Sequence, residues 1–153
     1  MPFRYFEDFR LGDRIPLAAY TVSRDEVLEF AAEYDPQPMH LDDSAGEASL
    51  LAGLGASGWH TCAMFMRMMC DGFLLASSSL GSPGIDKLSW LAPVRPGDRL
   101  SGTSTVLDAR ASKSRPDMGI VRFLHEVVNQ DGVTVMRGEN PIMFATRTGG
   151  GRP

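Results

Sequence analysis

Trp59-His60-Thr61-Cys62-Ala63-Met64-Phe65-Met66-Arg67-Met68-Met69-Cys70-Asp71-Gly72-Phe73 is the stretch that decides the fold. Its Trp, Phe, Met and Cys residues leave almost no polar face, and a helix that is apolar all round must be enclosed by the rest of its chain. The helix is expected from Trp59 to about Leu75, with Arg67 and Asp71 paired at i and i+4 on the one side that meets water. Methionine suits an adaptable pocket wall as well as an irregular core; plain core filling is the favoured reading.

Beyond the Ser77-Ser78-Ser79-Leu80-Gly81-Ser82-Pro83-Gly84 loop the pattern changes from helical to alternating. Four successive strands are predicted, Lys87 to Val94, Leu100 to Leu107, Ile120 to Val128 and Val133 to Phe144. Asn129-Gln130-Asp131-Gly132 is a strong hairpin signal between the last two. Gly138 and Pro141 interrupt the final strand and predict a bulge near a sheet edge.

Upstream, Gly12-Asp13-Arg14-Ile15 and Gly97-Asp98-Arg99-Leu100 are near copies of a turn that launches a strand. Ser23-Arg24-Asp25-Glu26 reads as a capping box, and Val27, Phe30, Ala31 and Tyr34 form one apolar stripe before Asp35-Pro36 stops the helix. A doubly wound sheet would need alternating βαβ units, which this order lacks. The expected class is therefore α+β, an antiparallel sheet of about five strands wrapped around the central apolar helix, the arrangement called a hotdog fold. One domain over residues 1–148 is expected, with 149–153 as a disordered tail.

The composition is that of a soluble globular domain, with 43% hydrophobic and 22% charged residues in a chain of 153. A net charge of −4 argues against nucleic-acid or anionic-membrane partners and favours small-molecule chemistry. Cys62 and Cys70 are eight residues apart on one helix, too far for a disulfide, and are expected as buried free thiols. His40, His60 and His125 are dispersed, so no metal site is expected. The amino terminus has no basic segment followed by an apolar one, and a cytoplasmic protein is expected.

Asp35-Pro36-Gln37-Pro38-Met39-His40 carries the chemistry, because two prolines keep from helix a segment that offers a carboxylate and an imidazole. Together these groups can hold one water and move two protons. Gly53-Leu54-Gly55-Ala56-Ser57-Gly58 spells G-x-G-x-x-G, but it follows no strand and opens no βαβ unit, so a dinucleotide site is rejected. Its glycines do bring bare N–H groups to the start of the apolar helix, where negative charge is favoured. An acid/base pair, an oxyanion-stabilising helix start and an apolar groove suit the addition of water across a thioester-conjugated alkene.

The chain resembles the MaoC-like dehydratases, which include the (R)-specific enoyl-CoA hydratases. The resemblance runs through Tyr5 to Asp13, Asp35 to His40, Gly55-Ala56-Ser57-Gly58-Trp59-His60-Thr61, and Trp90-Leu91-Ala92-Pro93-Val94-Arg95-Pro96-Gly97-Asp98. It implies that Asp35 and His40 are the catalytic base and acid and that the Gly58 N–H donates to the thioester carbonyl. It also implies syn hydration of an enoyl-CoA, reversible as dehydration, without metal or redox cofactor, coenzyme A being part of the substrate.

Gln37 stands where the family motif usually has Asn, and Met66 where characterised members can place a water-holding Ser. Ser57 is a secondary candidate for the oxyanion site, with an N-cap as its plainer reading. His60 is expected to cap or pack and His125 to alternate within a strand. Arg95, Lys113 and Arg115 could meet coenzyme A phosphates. A homodimer or higher oligomer is implied by the resemblance, and a single sheet around one helix would leave an edge and a face for pairing. The rival functions are a hotdog acyl-CoA thioesterase and a non-catalytic acyl-thioester-binding subunit.

Overall fold

The computed structural model of the chain describes residues 2–149. Its centre is α3 (Gly58–Gly72), which turns Met64, Met68, Met69 and the following Phe73 into the core. Around it lies an antiparallel sheet of β1 (Arg14–Pro16), β2 (Tyr20–Thr21), β3 (Ser79–Gly81), β4 (Lys87–Trp90), β5 (Arg99–Ala111), β6 (Met118–Val128) and β7 (Thr134–Ala145). The strand order is β1-β5-β6-β7-β3, with β2 also on β5 and β4 also on β7. This is the hotdog arrangement, with seven strands among the described residues in place of about five.

The alternation that predicted the strands is the one that fills the core. Along β6, Val121, Phe123, His125 and Val127 are all buried, as residues two apart on a pleated strand must share a face. Phe9, Phe73, Phe123 and Phe144 meet there, Phe9 lying 5.8 Å from Phe123 edge to face and 4.3 Å from Phe144. Burying each such ring stabilises the fold by roughly 1.5–3 kcal/mol.

Both Gly-Asp turns have the same construction. Gly12 and Gly97 have φ of +86° and +89°, and Asp13 and Asp98 each accept the N–H three residues back, from Arg10 at 2.9 Å and Arg95 at 2.8 Å. In the hairpin after β6, Asn129 Oδ1 accepts from the N–H groups of Asp131 and Val133, and Gly132 takes φ +75°.

Several expectations change. The outer side of α3 is open in the single chain, where Trp59 is 61% and Met66 46% exposed, because the sheet wraps only one side of the helix. For the same reason Cys62 and Cys70 are half-buried free thiols. The Arg67–Asp71 pair does form, at 2.7 Å on the exposed side. The Ser-rich loop after α3 contains β3, paired with β7.

β7 keeps its register against β6 through Gly138 and Pro141 without a bulge. On its other side β4 pairs with residues 136–139 and β3 with 143–144, so Pro141 falls in the gap between two short partners. The polar stretch after His40, read as irregular, forms a short helix, α2 (Asp43–Glu47), capped by Asp42. Of the tail expected at 149–153, residues 150–153 lie outside the described residues, while Gly149 donates its N–H to Thr146 O at 3.2 Å.

Candidate active site

α1 (Arg24–Tyr34) delivers the carboxylate. The Ser23 hydroxyl accepts the Glu26 N–H at its start, while the Glu26 carboxylate accepts the Tyr20 hydroxyl. Val27 and Ala31 are buried and hold the helix down; Tyr34, expected on the same stripe, is 67% exposed because the helix ends there. Asp35 follows in a non-helical conformation with Pro36 behind it. Pro38, Met39 and His40 then form a single 3-10 turn, which suits Pro in its first position and brings His40 back toward Asp35.

The result is a close pair, with His40 Nε2 3.4 Å from Asp35 Oδ2 and side-chain exposures of 8% and 16%. His40 Nδ1 lies 2.7 Å from the carbonyl oxygen of Gly55. A carbonyl only accepts, so Nδ1 carries a proton and Nε2 is the atom turned to Asp35. On Asp35, the Ser57 hydroxyl donates to Oδ2 at 2.6 Å and the Gln37 amide to Oδ1 at 2.7 Å. These donors, Ser57 first, then Gln37, with His40 adding to them, hold the carboxyl below its usual 3.8 against the opposing effect of burial.

Ser57 therefore has a different role from either reading of the sequence. It occupies the N-cap position of α3, but its hydroxyl makes no capping bond and is spent on Asp35. Gln37 uses its amide to hold the same carboxylate despite the extra methylene.

Gly58 opens α3, where a first-turn N–H has no acceptor within its own helix. Gly58, His40, Thr61 and Trp90 line one cavity of about 300 Å³. The catalytic candidates from α1's end and from the start of α3 are thus brought together. Met66 is not among them, since it lines a different cavity with Cys62 and Phe65.

Arg95 does not face outward toward phosphates. Its guanidinium donates to Leu54 O at 3.1 Å and to Leu51 O, while its backbone N–H is held by Asp98. It staples the glycine loop whose Gly55 carbonyl holds His40. Arg115 pairs with Asp117 within a turn, and Lys113 is exposed. His60 stacks on Phe30 with ring centroids 4.8 Å apart, as a packing residue, and burial lowers its pKa.

His125 is enclosed by β5, β7 and α3. Nδ1 is 2.7 Å from Ser104 Oγ, Nε2 is 2.7 Å from Asn140 Oδ1, and the ring lies 4.9 Å from Phe65. Burial pushes its pKa down to about 4. Among the described residues no group of three or more His, Cys, Asp or Glu could hold a metal ion, and no helix is long and apolar enough to cross a membrane.

Sequence reasoning missed three contributors. The Gly55 carbonyl carries no side-chain signal, Arg95 reads like any surface cation, and Trp90 reads as one residue within the strand predicted from Lys87 to Val94, which ends at Trp90 in the fold. Only the fold shows what they touch.

Residues 10–129 match the model of the MaoC like domain, and the chain belongs to the MaoC-like dehydratase family. A MaoC-like dehydratase from Rhodospirillum rubrum, known as a crystal structure, is 41% identical and superposes with a TM-score of 0.88, covering 94% of this chain and 98% of that one. An (R)-specific enoyl-CoA hydratase from the same organism is 28% identical over 150 residues, 94% of this chain and 93% of the relative. An unliganded R-hydratase from Pseudomonas aeruginosa shares the fold at 22% identity and TM-score 0.74, with 94% and 86% covered.

Proposed function

We propose that the protein is a hydro-lyase that hydrates an enoyl-CoA, or a related acyl thioester, to a 3-hydroxyacyl thioester, and catalyses the reverse dehydration. The observation that carries this reading is the 3.4 Å approach of Asp35 Oδ2 and His40 Nε2, with His40 sharing one cavity with Gly58 at the start of α3.

Asp35, ionised, takes a proton from water as the water oxygen attacks Cβ of the alkene. The alkene electrons move toward the thioester oxygen, where the Gly58 N–H and the positive end of α3 stabilise the developing charge. The protonated form of His40 gives its Nε2 proton to Cα. The proton gained by Asp35 then passes to Nε2, restoring a carboxylate facing an imidazolium. Both proton transfers come from one face of the substrate, consistent with syn addition and an (R) product. No step calls for a metal or redox cofactor, and coenzyme A enters as part of the substrate.

A homodimer fits this reading. Trp59 and Met66 on the open side of α3, and Leu80, Ile85, Trp90 and Leu91 along the β3/β4 edge, are all at least 46% exposed in the single chain. Pairing would cover them.

Incubation with crotonyl-CoA tests the proposal. Hydration removes the conjugated-alkene absorbance and releases no thiol. Thiol release without hydration would make the protein a thioesterase instead, and binding with neither reaction would make it a binding subunit.

A further inference from the structure

The indole of Trp90, the last residue of β4, lies across the first turn of α3. A Cβ placed on Gly58 would come within 2.5 Å of Trp90 Cε2 and 2.6 Å of Cδ2, so the ring rests against the helix backbone only because residue 58 has no side chain. The ring meets Trp59 edge to face, with centroids 5.3 Å apart at 80°. Helix backbone and a second indole thus fix its position while 46% of the residue remains exposed.

The indole lines the cavity of His40, Gly58 and Thr61, about 300 Å³. A second cavity of about 280 Å³, which the indole does not line, is walled by Cys62, Phe65, Met66, Met69 and Leu88. Thr61 and Phe65 are one turn apart on α3, and Leu88 and Trp90 are two apart on one face of β4. The two cavities therefore follow one another along a single helix–strand groove, with the indole at the step between them.

We infer that Trp90 determines acyl specificity: it closes the His40 cavity against the apolar one and confines the site to short acyl groups that end at the indole. This rests on the hydratase reading above. An acyl chain long enough to reach Leu88 and Met69 has to displace a ring held on two sides, which costs it the contacts that a longer chain would otherwise gain.

The test compares crotonyl-CoA with trans-2-dodecenoyl-CoA, using the full chain and its Trp90→Ala and Trp90→Phe variants. The wild type should favour crotonyl-CoA. In Trp90→Ala the ratio of kcat/KM for dodecenoyl-CoA over crotonyl-CoA should rise by about tenfold or more, the scale set by pocket contacts with single carbons, and Trp90→Phe should fall between. An unchanged ratio, or a wild type that already prefers the longer substrate, overturns the inference.

Calorimetric titration with butyryl-CoA and lauroyl-CoA separates this from failure of the hydratase reading, because it needs no turnover. If neither enoyl-CoA is hydrated but Trp90→Ala selectively tightens lauroyl-CoA, the partition stands and the reaction assignment falls. If hydration is robust while neither the selectivity ratio nor binding responds to residue 90, the partition falls and the reaction stands.

Discussion

The Ser57 hydroxyl donates to Asp35 Oδ2 at 2.6 Å, tying the N-cap position of one helix to the residue that ends another, 22 positions earlier. Ser57 is fully buried, so water cannot replace Asp35 as the acceptor of its hydroxyl. The bond favours the ionised carboxyl and fixes the oxygen that faces His40.

Removing that donor should move a pH profile in a known direction. Asp35 must be ionised to accept the water proton, and its pKa is lowered chiefly by Ser57. The acidic limb of kcat/KM for hydration should therefore lie below pH 3.8 in the wild type and shift to higher pH in Ser57→Ala. A profile that drops in height without any movement of that limb would make Ser57 a packing residue only.

Asp35→Asn and His40→Gln should each lower kcat by about 10³-fold, the scale of positioned acid–base catalysis, with little change in thermal midpoint. Crotonyl-CoA kinetics with parallel melting curves measure both. Activity that survives Asp35→Asn would remove the carboxylate from the mechanism.

Arg95→Met should lower kcat by about tenfold or more while changing KM less, since it releases the Leu51 and Leu54 carbonyls and loosens the loop that orients His40. Arg95→Lys should recover only part of this, because an ammonium cannot reproduce the two-pronged fork. A pure rise in KM in either variant would instead point to a contact with the coenzyme A phosphates.

His125 should make the fold acid-sensitive. Its folded pKa is about 4 and its ordinary value 6.5, so the unfolded chain takes up a proton in a range where the folded one does not. The stability this group contributes is present above pH 6.5 and is lost as pH falls toward about 4, reaching roughly 3 kcal/mol. Urea unfolding at several pH values should show that slope, and His125→Gln should flatten it.

Much of the architecture was legible because its causes are local. The all-round apolar α3, the alternation in β4 to β7, the Gly-Asp turns and the Asp35-to-His40 segment each carry their signal within a few residues. What was misread depends on distant partners. β3 exists because β7 runs beside it, the outer side of α3 is open because the sheet wraps only one side, and Arg95 turns inward because a carbonyl loop 41 to 44 positions earlier folds over it. In the candidate site, residue types singled out Asp35 and His40, which the fold brings to 3.4 Å, but Ser57 and Gln37 as donors to Asp35 needed coordinates.

The placement of β6 between its two chain neighbours bears on the order in which the molecule assembles. β5, β6 and β7 are consecutive, joined by short turns and paired over nearly their full length, with one register shift in each pairing, so their pairing closes only small loops. The links that build the site span 15 to 44 positions, from His40 to Gly55, Asp35 to Ser57, and Arg95 to the loop at 51–54. The sheet centre can therefore form before the groups of the candidate site meet. Amide exchange should open the 50–56 loop well below the free energy of global unfolding, leaving β6 protected until the whole domain unfolds.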